Sequence, residues 1–294
     1  VQIVIIPPCI TGHAVADVLM AKTVPSGKLT DTWARSYDDY PSSRTFSYRD
    51  DNLDDEYYSD GIYVGYRYFD TFGIMPLYCF GYGKGYTDFS LVTKEVTADE
   101  KLVKVEVEVT NIGKVYPGRE VVQVYYSAPD GVMEKPTQEL AGFAKTKLLM
   151  PGEKEVVTVT FATEDMASYD SYDAAWVMEE GEYELSIRSD AHTILDTVEY
   201  NVPETIVYDE DNARESDQQT ATNQFDFAEG DGVVYLSREN GFENYDEATA
   251  APIDFTMDED RKANYQNITN YDIDSMNDNS EEMPTTGADN KIKL

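Results

Sequence analysis

Residues 101–111 read KLVKVEVEVTN, with Val103, Val105, Val107 and Val109 on alternate positions and Lys104, Glu106 and Glu108 between them. A period of two predicts a strand with one dry and one wet face. Runs of the same kind follow at REVVQVYYSAP (119–129), QELAGFAKTKLL (138–149), EKEVVTVTFA (153–162), GEYELSIRSD (181–190) and HTILDTVEYNV (192–202). Turn signals separate them: Asn111-Ile-Gly113, Pro117-Gly118, Pro129-Asp-Gly131, Pro151-Gly152 and Glu180-Gly181. No helical period intervenes. About seven short strands over residues 88–202 predict an antiparallel β-sandwich of immunoglobulin or fibronectin type III shape, with Phe161 and Trp176 as core anchors.

Upstream lies GIYVGYRYFDTFGIMPLYCFGYGKGYTDF (61–89), dense in aromatic and glycine residues. It fits neither an amphipathic helix nor an alternating strand, and residues 51–87 are expected to form a rigid joint. Tyr63, Tyr66, Tyr68 and Phe69 would fill its seam, while Gly65, Gly81 and Gly83 permit close backbone approach or positive φ. Arg67, between aromatic neighbours, is expected to pair with Asp60 or Asp70.

Further upstream, Gln2–Ile6 is a continuous apolar run ending at Pro7-Pro8, as in a buried strand. TGHAVADVLMAK (11–22) then predicts a helix through Val15, Val18 and Leu19 that stops before Pro25. A single strand and helix cannot bury their own faces. Residues 1–50 therefore read as the last strand-helix unit of an α/β sandwich domain, whose sheet is expected before Val1.

After the sandwich, residues 203–294 turn acidic and read as a largely irregular linker or tail. Within it, GVVYLSREN (232–240) and AAPIDFTM (250–257) are short apolar islands able to clip onto a neighbouring surface. The expected fold class is mainly β.

Fifty-seven acidic residues against 23 basic ones give a net charge of −34, which argues against nucleic acid and anionic membrane surfaces as partners. No apolar run is long enough to span a bilayer. Cys9 and Cys79 lack metal or disulfide spacing and read as buried thiols. GYGKGY (81–86) has glycines on alternate positions with no helix after them, unlike a dinucleotide loop. PSGKL (25–29) has Leu29 where a phosphate-binding loop needs a hydroxyl. His13 and His192 are the only histidines and neither has a second ligand at metal spacing. The acidic runs at 38–39 and 49–56 read as solvated loops; DIDSMNDNSEE (272–282) breaks the calcium-loop pattern. MPTTG (283–287) is similar to a sortase signal with nothing apolar following it. No cofactor and no metal are expected.

In order, HAVADVLMAKTVPSGKLTDTWA (13–34), YDDYPS (37–42), DGIYVGYRYFDTFGIMPLYCFGYGKGYTDF (60–89), VEVTNIGKVYPGREVVQVYYSAP (107–129), QELAGFAKTKLLMPGE (138–153) and GEYELSI (181–187) resemble the C-terminal part of the family 3 glycoside hydrolases, the β-glucosidase family. The resemblance covers about residues 5–200. It implies a retaining enzyme with a (β/α)8-like barrel, an α/β sandwich domain and a fibronectin-like domain. The family's nucleophile is an Asp in a motif ending Ser-Asp-Trp and its acid/base is a Glu upstream of the helix. Neither maps onto this sequence, so no catalytic residue is assigned and the chain alone is expected to be inactive. The alternative is a glycan- or protein-binding β-sandwich module.

TDTWA, GVVYLSREN and the acidic stretch are similar to family members of reversed domain order, in which the barrel follows. On that resemblance, the loop from Asp54 to Tyr63 would reach the active-site rim, with Asp60, Tyr63 and Arg67 as substrate-proximal candidates. The expected partners are a β-linked oligosaccharide or aryl glucoside, bound by the complete enzyme, and a barrel packed against this chain. Localisation is open, with the bacterial cytoplasm favoured over secretion. Two departures from the family pattern, Pro7-Pro8-Cys9-Ile10 before the helix and Lys84-Gly85 in place of Leu-Ser, alter local loops.

Overall fold

The computed structural model describes residues 11–46, 58–217, 219 and 233–250. The expected strand at Gln2–Ile6, Cys9, the acidic run 49–56 and the motifs beyond Ala250 lie outside the described residues.

Ten strands among the described residues make the chain mainly β: β1 (Phe89–Ala98), β2 (Leu102–Asn111), β3 (Val121–Ser127), β4 (Glu139–Lys145), β5 (Lys154–Ala162), β6 (Ser168–Asp170), β7 (Ala175–Met178), β8 (Gly181–Asp190), β9 (Thr193–Val202) and β10 (Ile206–Tyr208). They form antiparallel sheets ordered β1-β2-β5, β4-β3-β8-β9 and β10-β7-β6. The first two face one another across a shared core. β2 supplies the centre: Val103, Val105, Val107 and Val109 are all 0% exposed, as the alternation predicts. They meet Val122, Val124, Leu185 and Ile187 of the facing sheet, with Phe161 among them. Trp176 is only half-buried; its ring lies 3.9 Å beneath the guanidinium of Arg214, which pairs with Asp217.

β3 departs from simple alternation because six of its seven residues are buried. Val122, Val124 and Tyr126 enter the sandwich core, while Gln123 and Tyr125 are covered from the other side by the joint. A strand buried on both faces reads as a continuous apolar run.

The turn at Asn111 is more than a punctuation mark. Its side chain is fully buried and donates to the carbonyls of Tyr116 and Leu149 at 3.0 and 2.9 Å. Its Oδ1 accepts from the Thr87 hydroxyl at 2.6 Å and the Gly113 amide at 3.0 Å. Every hydrogen-bonding position of the amide is thus used, which is what burial of an Asn side chain demands.

Helix α1 (Thr11–Leu19) forms and ends before Pro25. Val15 and Val18 are half-buried, but Leu19 is 67% exposed. The spacing that predicts an inward Leu19 is met at the helix end by a turn in which Ala21 takes φ +54°, and that side chain is left largely exposed. The tail is not wholly irregular: β10 pairs with β7, and residues 233–250 return to the joint, carrying a short helix, α3 (Tyr245–Ala248).

Candidate functional site

Within the stretch expected to form the joint, residues 51–87, the loop 59–65 carries two glycines that bend it with φ +57° at Gly61 and +59° at Gly65. The loop turns Tyr63 inward to 0% exposure and leaves Ile62 and Val64 outside. Gly65 then starts a helix absent from the sequence reading, α2 (Tyr66–Thr71), its carbonyl accepting from the amides of Tyr68 and Phe69. Six residues are too few to establish a helical period.

Tyr63, Tyr68 and Phe69 form a buried cluster with Leu236 and Ala248 from the returning tail. The rings meet edge to face: Tyr63 on Phe72 at 5.1 Å, Tyr68 on Phe69 at 5.3 Å and Tyr40 on Phe69 at 5.5 Å between centroids. Such pairs add to the area they bury. The tail is also tied by backbone, the Leu236 amide donating to the Ser59 carbonyl at 2.8 Å. The apolar island around Leu236 thus clips onto a neighbouring surface, and that surface is the joint.

Asp60, Tyr63 and Arg67 are the residues expected to lie near a substrate. Tyr63 donates its hydroxyl to Glu134 Oε1 at 2.6 Å, and burial pushes its pKa upward, so it is a neutral donor. It presents no exposed surface to a ligand. Arg67 pairs with neither Asp60 nor Asp70. Its Nε donates to Glu139 Oε1 at 2.7 Å, and Glu139 Oε2 accepts from Tyr126 at 2.8 Å. Asp70 is taken instead by Gln138 Nε2 at 2.7 Å and by His192 Nε2, which lies 2.6 Å from its Oδ1. Closeness in sequence misleads here because the neighbouring Gln138 and Glu139 of the sandwich reach α2 and take Asp70 and Arg67 separately. Asp60 is half-buried, and burial raises its pKa against the opposing effect of a backbone hydrogen bond. A raised carboxyl pKa is a property that marks candidates for proton transfer.

The signals that sequence reading missed are the partners that arrive from far along the chain. Glu134 also accepts from the Arg238 amide, and the Arg238 guanidinium donates to the Lys135 carbonyl at 3.0 Å and to Asp130 at 2.9 Å. The loop 129–135 is held beneath by a buried Lys135–Glu179 ion pair. Glu179 additionally accepts from the Val132 amide at 2.6 Å. These residues cross-link α2, the β3–β4 loop and the tail into one seam.

Two clefts flank the region where residues 24–29 meet residues 82–86. One, of 730 Å³, lies against the sandwich and is bordered by Lys84, Asp88, Arg119 and Thr193. The other, of 690 Å³, is bordered by Trp33, Tyr78, Tyr82 and Tyr86. Asp60, Tyr63 and Arg67 border neither. Among the described residues no group of His, Cys, Asp and Glu is arranged to hold a metal ion. Cys79 is buried and its thiol is pushed up to about 11, an unreactive state, by burial first and by Asp190 beside it. No described helix is long and apolar enough to cross a membrane.

Residues 5–66 match the family model described as the glycosyl hydrolase family 3 C-terminal domain, and residues 120–191 match that of the fibronectin type III-like domain. The chain is 47% identical over 194 residues to β-glucosidase A of Butyrivibrio fibrisolvens, a match covering 58% of this chain and 23% of that protein. It is 38% identical over 205 residues to a β-glucosidase of Ruminococcus albus, covering 68% of this chain and 21% of the relative. Its fold superposes on β-glucosidase 3B from Thermotoga neapolitana, solved in complex with α-D-glucose, with TM-score 0.64 and 42% identity over 68% of this chain and 27% of that one. The chain therefore spans about a quarter of the length of the relatives it matches.

Proposed function

The chain carries the C-terminal domain of the family 3 glycosyl hydrolases together with a fibronectin type III-like domain, and from that premise we propose that it is the non-catalytic portion of a retaining β-glucosidase. The observation that carries this reading is the extent of the match: 47% identity held over 194 residues, yet only 23% of the relative accounted for. The rest of the relative's length has room for a barrel bearing the chemistry. Retaining hydrolysis needs two carboxyl groups about 5 Å apart across the scissile bond. The Ser-Asp-Trp sequence is absent from this chain, and Glu134, Glu139 and Asp70 are engaged by Tyr63, Arg67 and Gln138.

In this reading the seam is a support. It fixes the outward face of residues 58–64, where Tyr58, Ile62 and Val64 are exposed at 78%, 45% and 60%. Contiguous exposed apolar side chains mark an interaction surface, and the barrel of the complete enzyme is its partner. Asp60 and Arg67 lie beside this face as rim candidates for a β-glucoside.

The test is hydrolysis of an aryl β-glucoside. Purified residues 1–294 release no 4-nitrophenol above background, whereas the full reading frame, translated with its neighbouring barrel, turns the substrate over. Turnover by residues 1–294 that is lost with a single carboxylate in this chain would overturn the proposal.

A further inference from the structure

PSGKL and GYGKGY, without a role when read separately, meet in the fold. The Leu29 amide donates to the Tyr82 carbonyl and the Gly81 amide to the Leu29 carbonyl, both at 2.8 Å. The backbones then run so close that a Cβ on Gly83 would stand 2.6 Å from the Gly27 carbonyl oxygen. Only glycine fits there, and the contact makes a low saddle with the Lys28 side chain passing beside it. Pro25, Gly27, Lys28, Gly83, Lys84 and Gly85 border the clefts on both sides of it.

The two sides differ in chemistry. On one, Trp33, Tyr78, Tyr82 and Tyr86 supply aromatic surface, with the Tyr78 and Tyr82 rings 4.9 Å apart and tilted by 32°. On the other, Lys84, Asp88 and Arg119 are exposed and form no ion pair among the described residues. Lys28 and Glu120 border the same side but neutralise one another at 2.7 Å. A phosphate-bearing ligand fits this mixture poorly, because carboxylates stand among the cations and no helix follows the glycines. A polyol fits it well: charged side chains of both signs donate to and accept from hydroxyl groups, and a pyranose ring lays its apolar face on an aromatic one.

We propose that the paired clefts form a glycan site, apart from Asp60, Tyr63 and Arg67, that holds a neutral β-linked oligosaccharide across the Gly27–Gly83 saddle. One sugar ring lies against the Trp33 side and the hydroxyls of the next reach Lys84, Asp88 and Arg119. The β-linked class rests on the activity proposed above; the site itself rests on the geometry.

Trp33 and Trp176 are the only tryptophans of the chain, so Trp176→Phe leaves Trp33 as the sole reporter. Titration of that variant with cellotetraose is expected to give a saturable change in emission. Isothermal titration of the unsubstituted chain provides the same constant should Trp176→Phe fold poorly. Lys84→Ala and Arg119→Ala, both at exposed positions, each weaken binding about tenfold while the melting temperature stays unchanged. Absence of saturable binding by either method, or unchanged affinity in both variants, overturns the proposal. Equal affinity for maltotetraose overturns the β-linked class. Hydrolysis is not read in these titrations, so failure here is separate from failure of the proposed activity.

Discussion

Tyr63 has no solvent exposure and a carboxylate at its hydroxyl, so substitutions there test support against substrate contact. Tyr63→Ala is expected to cost about 3–5 kcal/mol of stability by chemical denaturation, the usual range for emptying an aromatic site. Tyr63→Phe keeps the ring and leaves Glu134 short of a donor, costing about 1–3 kcal/mol. In the complete enzyme Tyr63→Phe should leave KM unchanged; a raised KM at unchanged stability would return Tyr63 to the active-site rim. Glu179 tests a different residue-scale effect. Burial alone would raise its pKa, but Lys135 and the amides of Val132 and Met133 outweigh burial and hold it below the ordinary value. A carboxyl depressed in the folded state stabilises the fold fully above its unfolded pKa, about 4.3, and that contribution is lost as pH falls through the depressed value. Glu179→Gln should therefore lower stability near neutrality by about 3–5 kcal/mol, because Lys135 is left buried without its partner. It should also flatten the acid side of the stability profile, measured by denaturation from neutral pH downward. An unchanged acid limb would show that Glu179 is not the titrating group.

Elements differ in how openly they announced themselves, and the reasons are physical. β2 was legible because one face is dry and one wet along its whole length, so four valines sit at a strict period of two. β3 is dry on both faces, and the second covering comes from the joint, which lies more than 30 positions upstream. α2 was not legible, being shorter than two turns. The seam's ion pairs were not legible either, since Arg67 reaches Glu139 and Asp70 reaches His192 across separations that no local pattern encodes. Residues 233–250 were partly legible: the apolar island around Leu236 stands out against an acidic background, while its seat on Tyr63, Tyr68 and Phe69 does not. Leu236→Asp should detach this segment alone. Placing a carboxylate in a site only 3% exposed opposes the packing of the tail but touches no strand of the sandwich. The expected outcome is rapid proteolysis and amide exchange over residues 233–250 with the sandwich's thermal transition in place. Loss of that transition would mean that tail and sandwich unfold as one unit.

At the scale of the molecule, a strongly acidic chain is held together by a few well-placed cations. Arg67, Lys135 and Arg238 all converge on the seam between α2, the β3–β4 loop and the returning tail. Their carboxylate partners are distributed along the sequence, so the seam adds to the packing of Tyr66 and Cys79 on Tyr125 in joining distant parts of the chain. The return of residues 233–250 to loop 59–65 has a mechanical consequence. Tension applied at residue 250, part-way along the acidic tail, is delivered first to α3 and the Tyr245–Tyr68 contact, then to the Leu236–Ser59 hydrogen bond and the Arg238 contacts with the β3–β4 loop, and only afterwards to the strands. A pull on the tail thus loads this seat like a clasp, which opens before the strands bear force and then pays out extended chain at roughly 3.5 Å per residue.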